Sequence, residues 1–327
     1  MSLTERLQSV LVALAALTGV GAGLLWPVGP AAGHLVLPAL LLMLTAVLVQ
    51  MDAAHVGEVR QARPLVAASL FLNFVLTPAL AWALGAGLLG GEPDLRIGLL
   101  LLLVTPCTDW YLVFTALARG HTGIATALLP VNLVLQLALL PVYVLLLGGQ
   151  AAMIDAATLT RSVLLVLLVP LTLAVLLRRA PGWVGRGDRN TAWRRRYVTG
   201  PAGRLVVPLL CVAVAAMFAW QARTVVEHAA DLVSLIGPLV VFFVLLPLIA
   251  TVVSRMLRLP APQRVTLTMT VTARNSPIAL AVAVAAFPDR PLIAVALVAG
   301  PLLELPLLAV IAQLVRVRHP AATRAAP

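Results

Sequence analysis

Two short polar stretches interrupt long apolar runs, Thr105-Pro106-Cys107-Thr108-Asp109-Trp110 and Ala273-Arg274-Asn275-Ser276-Pro277, each with a proline and an ionisable side chain near mid-segment. The thiol of Cys107, the carboxyls of Asp109 and Glu304, the guanidinium of Arg274 and the neighbouring hydroxyls and amides are groups that bind a solute or move a proton. A charge at the centre of a bilayer costs about 2.5–3.5 kcal/mol on insertion scales, so it marks a functional site or a compensated pair. Proline removes a backbone donor and clashes with the preceding turn, so Pro106 and Pro277 are expected to free carbonyls that protein, water or ligand must satisfy in lipid. Two broken helices meeting there would enclose a small cavity lined by half-helix ends.

Two readings of the charges stay open. Asp109 and Arg274 can form a structural ion pair that locks a helix crossing, or Arg274 can supply a fixed positive charge while Asp109 or Glu304 takes up and releases a proton. Cys107 follows a helix-breaking proline among Thr105, Thr108 and Asp109, and a soft sulfur in such a polar cavity suits a thiophilic solute. Cys211, in a bland helix, reads as a small hydrophobe. Asn73 with Pro78, and Asn132 with Gln136 one turn apart, either line the same cavity or bond helix to helix. Cysteines inside apolar segments make no disulfide framework. Phosphate-loop, dinucleotide, zinc-protease and serine-hydrolase motifs are absent, and the five histidines lack ligand spacing. No cofactor, metal or enzymatic activity is therefore expected.

The elements that must position these groups follow from composition. Of 327 residues, 61% are hydrophobic and 11% charged, with a mean hydropathy of +1.04, the signature of a polytopic membrane protein. The net charge of +11 comes from arginines scattered between apolar blocks, not from one basic face, which excludes nucleic acid as a partner. Ten apolar runs of spanning length occur at about 8–26, 35–51, 65–89, 96–117, 122–148, 157–178, 202–222, 231–254, 264–287 and 291–315. The first reads as a retained helix, not a cleaved signal. With ten spans, 18 of the 23 arginines share one side with both termini, 4 lie on the other, and Arg274 is within the membrane. That asymmetry places both termini in the cytoplasm of a bacterial inner membrane.

The Arg-rich linker at 178–204, with Arg194-Arg195-Arg196, anchors topology or touches anionic lipid. It divides the chain into 1–150 and 151–327, five spans each, so the second half must run inverted relative to the first. The fourth span of each half is the Pro-interrupted, charged one, and the fifth of each carries prolines and polar groups. Paired interrupted segments point to a transporter site at the repeat interface. The expected fold is all-α, ten transmembrane helices in two inverted five-helix repeats with Pro-interrupted fourth and ninth helices.

The run Ala273-Arg274-Asn275-Ser276-Pro277-Ile278-Ala279-Leu280-Ala281-Val282-Ala283, followed by Gly300-Pro301-Leu302-Leu303-Glu304-Leu305-Pro306, resembles the ninth and tenth helices of arsenical-resistance arsenite permeases, within the bile acid/sodium symporter superfamily. Cys107, Asn73 to Pro78 and Asn132 to Gln136 are also similar to family positions. The resemblance implies arsenite efflux driven by protons, with a panel of helices one, two, six and seven moving against a core of the rest. The chain departs from it in carrying Pro277 where those permeases have a glutamate. It also has Thr270 and Arg274 where sodium-coupled relatives have a glutamate and a glutamine, which argues against sodium at that place. The expectation is export of arsenite, or a related metalloid such as antimonite, by proton antiport, with Cys107, Thr108, Arg274, Asn275, Ser276 and Asn73 on the substrate. Asp109 and Glu304 would couple protons, and Thr105, Asn132 and Gln136 would line the cavity. The alternative is proton- or sodium-coupled uptake of an organic anion with Arg274 as counter-ion; a membrane sensor is a third, poorer reading. Protons, membrane lipids and the small solute are the expected partners.

Overall fold

The computed structural model describes residues 8–50, 62–107, 110–148, 156–179 and 200–318, and the described residues are helical throughout apart from short connections. In chain order the helices are α1 (Gln8–Leu25), α2 (Gly29–Gln50), α3 (Arg63–Leu88, with a π-helical turn at Leu72–Leu76), α4 (Pro93–Leu103), α5 (Trp110–Leu117), α6 (Thr122–Leu147) and α7 (Ala156–Arg179). There follow α8 (Gly200–Trp220), the short α9 (Ala222–Glu227) and α10 (Ala229–Ser234), α11 (Ile236–Met256), α12 (Ala261–Thr272), α13 (Ser276–Ala286) and α14 (Pro291–Arg318). Such apolar sequence can satisfy its backbone in lipid only within helices.

Six helical stretches among the described residues are long and apolar enough to cross a bilayer: Ala31–Gln50, Arg63–Leu88, Thr122–Leu147, Ala157–Leu177, Ala202–Trp220 and Ala229–Met256. The expected fourth and ninth spans are each built from two short helices, α4 with α5 and α12 with α13. α1 and α14 lie where the first and tenth are expected. The interior is apolar but so is much of the exterior: Leu146 is 74% exposed and Leu25 73%, while the charged Arg274 is 2% exposed. A large apolar exterior of this kind is a lipid-facing surface. The chain is a polytopic, all-helical membrane protein.

Two groups of helices are visible in the packing. α8 lies against α1 and α2, and α7 against α2, while α3, α4, α6, α11, α12 and α14 pack mainly among themselves. α13 bridges the groups, meeting α2 and α7 on one side and α4 and α14 on the other. A largely apolar crevice between them is lined by Leu44 and Val47 of α2, Leu133 and Leu137 of α6, Val166 of α7 and Ile278 of α13. The Arg-rich linker and the boundary at 150/151 fall outside the described residues.

Candidate functional site

The two breaks meet. Val104 is the C-cap of α4, Ala273 leaves α12 in extended conformation (φ −73°, ψ 138°), and an antiparallel bridge pairs Pro106 with Arg274. The Cys107 N–H donates to Ala273 O at 3.0 Å and the Asn275 N–H to Thr105 O at 2.7 Å, so each unwound strand satisfies the other's backbone. The buried Thr105 hydroxyl lies 3.0 Å from both Leu101 O and Leu102 O and 3.3 Å from Asn275 O, covering the open end of α4. These contacts replace the ladder that the breaks remove, as non-helical backbone at membrane depth requires.

Asn275 restarts the helix: its Oδ1 accepts from the Ile278 N–H at 3.2 Å, an N-cap. Pro277 stands in the first turn of α13, where its missing N–H would be unpaired anyway. It therefore opens a half-helix, and the carbonyl it was expected to free inside one does not arise. Pro106, by contrast, is in the extended break itself.

Arg274 is the largest of the side chains less than 2% or so exposed, and its guanidinium is held by neutral groups. Nη1 donates to Leu103 O at 2.8 Å, Nη2 to Asn73 Oδ1 at 2.9 Å and also to Val271 O, and Nε to Thr272 O at 3.3 Å. The Phe242 ring of α11 covers it, 5.4 Å from ring centre to guanidinium carbon, a favourable cation–π approach. Glu304 of α14, buried at 3% exposure, accepts through Oε1 from the backbone N–H of Arg274 at 2.7 Å, tying a third element to the crossing. Among the described residues no carboxylate forms an ion pair with the guanidinium.

The crossing thus brings together Thr105, Cys107, Arg274, Asn275, Ser276 and Glu304, with Asn73 joined through Arg274. Cys107 is buried in a small apolar cluster with Tyr111, Phe114, Met269, Ala273 and Leu308, on the core side of the break. Asn132 and Gln136 of α6 are fully buried, and among the described residues none of their four amide atoms has a hydrogen-bond partner, nor does the Ser276 or Thr270 hydroxyl. Thr108 and Asp109 fall outside the described residues, so the ion pair considered for Asp109 does too. Phe242 and the carbonyls of Leu103, Val271 and Thr272 belong to the site without a sequence signal. A carbonyl is common to every residue, and one phenylalanine in an apolar helix looks like any other.

Residues 37–185 match the Sodium Bile acid symporter family, a stretch that includes Asn73, Cys107, Asn132 and Gln136 and stops before the second break. Over 280 residues, 82% of this chain and 74% of the relative, the sequence is 26% identical to "Arsenical-resistance protein Acr3" of Corynebacterium glutamicum. It is also 25% identical over 111 residues, 34% of this chain and 36% of the relative, to "Uncharacterized protein YbaS" of Bacillus subtilis. Broken, crossing helices inside a multi-pass membrane chain are the architecture of a transporter. The chain is a membrane transporter, similar over residues 37–185 to the Sodium Bile acid symporter family and along most of its length to an arsenical-resistance protein.

Proposed function

We propose that this transporter exports arsenite, or a related trivalent metalloid such as antimonite, from the cytoplasm by proton antiport. The observation that carries the reading is Cys107, a buried thiol at the crossing of the two broken helices, in a chain similar along most of its length to an arsenical-resistance protein. Near neutral pH arsenite is an uncharged trihydroxide. A thiol exchanges for one hydroxyl, forming an As–S bond and releasing water, and the soft sulfur favours that bond. The Asn132, Gln136 and Ser276 side chains, without partners among the described residues, supply neutral donors and acceptors suited to the remaining hydroxyls. Glu304 is the proton candidate at the crossing, with Asp109 as the second. Ten spans in two inverted five-helix repeats, with both termini cytoplasmic in a bacterial inner membrane, would let the group containing α1, α2, α7 and α8 rock against the rest. The apolar crevice beside Ile278 supports that division.

The organic-anion alternative draws on the family name and needs Arg274 as counter-ion. The guanidinium already spends four of its five N–H groups on protein acceptors, which favours an uncharged solute. The deciding test is arsenite accumulation in everted vesicles with an imposed pH gradient and no sodium, comparing the parent chain with Cys107→Ser. Uptake that needs both the gradient and the thiol is the expected result; full uptake by folded Cys107→Ser would remove the thiol from the mechanism.

A further inference from the structure

The guanidinium of Arg274 sits where two helix C-termini converge. Leu103 is the last residue of α4, and Val271 and Thr272 end α12; their carbonyls, with Asn73 Oδ1 from the π-helical turn of α3, supply the four oxygens that surround it. Helix C-termini carry partial negative charge, and unwound carbonyls at half-helix ends are the ligands that broken-helix transporters present to a cation. All four oxygens are neutral, and the nearby carboxylate, Glu304, is engaged by the backbone of Arg274. The arrangement is a cation cage, and its occupant is covalently attached.

We infer that Arg274 fills a built monovalent-cation site at the helix crossing, so that the chain carries its own cation there and needs no dissociable one. The guanidinium neutralises the two helix ends throughout the transport cycle, and no free cation enters or leaves at this place. Three of the four oxygens are backbone and persist whatever residue stands at 274. A side chain that vacates the cage leaves a polar site sized for a planar guanidinium, with room for a small cation. This inference stands apart from the arsenite reading, because thermal unfolding reads it without any substrate.

The experiment is thermal unfolding of the purified full chain in detergent, for the parent and Arg274→Ala, in guanidinium, sodium or choline chloride at equal, low ionic strength. Arg274→Ala is expected to melt lower than the parent and to recover about 2–4 °C in guanidinium relative to choline, with a smaller recovery in sodium. Adding Asn73→Leu to Arg274→Ala should weaken the recovery, since it removes the side-chain oxygen. The parent should not distinguish sodium from choline. Folded Arg274→Ala that responds alike to all three salts would overturn the inference. Should Arg274→Ala fail to fold, Arg274→Gln replaces it, and the parent provides a second test: sodium-specific stabilisation that Asn73→Leu abolishes would mean that the cage is not filled by Arg274.

Discussion

Pro78 has no N–H to return to the carbonyl four residues back, Phe74 O, and Tyr143 of α6 donates its hydroxyl to that oxygen at 2.6 Å. The preceding residue, Thr77, donates its hydroxyl to Leu72 O at 2.8 Å, closing the π-helical turn that carries Asn73. The pair therefore matters to the site, because the same turn aims Asn73 Oδ1 at Arg274. Leaving a buried acceptor unpaired costs about 1–3 kcal/mol, so Tyr143→Phe is expected to lower stability by about that much. Pro78→Ala restores an N–H and should recover part of the loss in the Tyr143→Phe background. Thermal unfolding of the four members of this cycle checks it, and strictly additive effects would show that the two residues do not serve one carbonyl. Asn73 with Pro78 was legible in the sequence as an amide beside a helix breaker. Tyr143 was not, since it lies 69 residues from its acceptor and no local pattern connects them.

At the scale of elements, the tightest contact is between α1 and α8. A Cβ placed on Gly19 would lie 2.3 Å from Ala215 O, and one on Gly23 2.2 Å from Ala219 O, whereas one on Gly21 would meet nothing within 4 Å. Gly-x-x-x-Gly against Ala-x-x-x-Ala lets two backbones approach in lipid, where dispersion contacts do the work of the hydrophobic effect. Gly23→Ala is expected to force the helices apart and cost about 1–3 kcal/mol, while Gly21→Ala should be neutral or stabilising by up to about 1 kcal/mol. Comparing their unfolding midpoints with the parent checks the contrast; equal midpoints would mean that α1 is free to shift. The spacing of these glycines carries this signal in the sequence, and so do the breaks: proline plus charge at 105–110 and 273–277 places both, because hydrocarbon tolerates neither without a partner. What composition could not supply is direction. Hydropathy marks Pro277 as a helix breaker, and only the Asn275 cap beside it reveals a helix starting there.

For the molecule as a whole, the arrangement across the membrane rests on arginine placement and on one ion pair. The first turn of α4 and the turn before α14 are tied by Asp94 and Arg290, with Nε 2.9 Å from Oδ1, and Arg290 also covers the Phe287 ring at 5.9 Å. The pair is partly exposed, with side chains 29% and 24% accessible, so it contributes only about 0.2–1 kcal/mol. Its value is geometric, because residues in contact lie on the same side of the membrane. On the proposed ten-span count, Arg96, in α4, and Arg290, in the turn before α14, would both belong to the side holding 4 of the 23 arginines, which the cytoplasm-facing bias of arginine would put outside. Topology reporters inserted at Gly91 and at Asp289 should therefore both read periplasmic, and a C-terminal fusion should read cytoplasmic. Opposite readings at Gly91 and Asp289 would contradict the ion pair. Agreement between them with a periplasmic C-terminus would leave the pair intact and instead refute the proposed span count, and with it the inverted five-helix repeats on which the proposed alternating access is built.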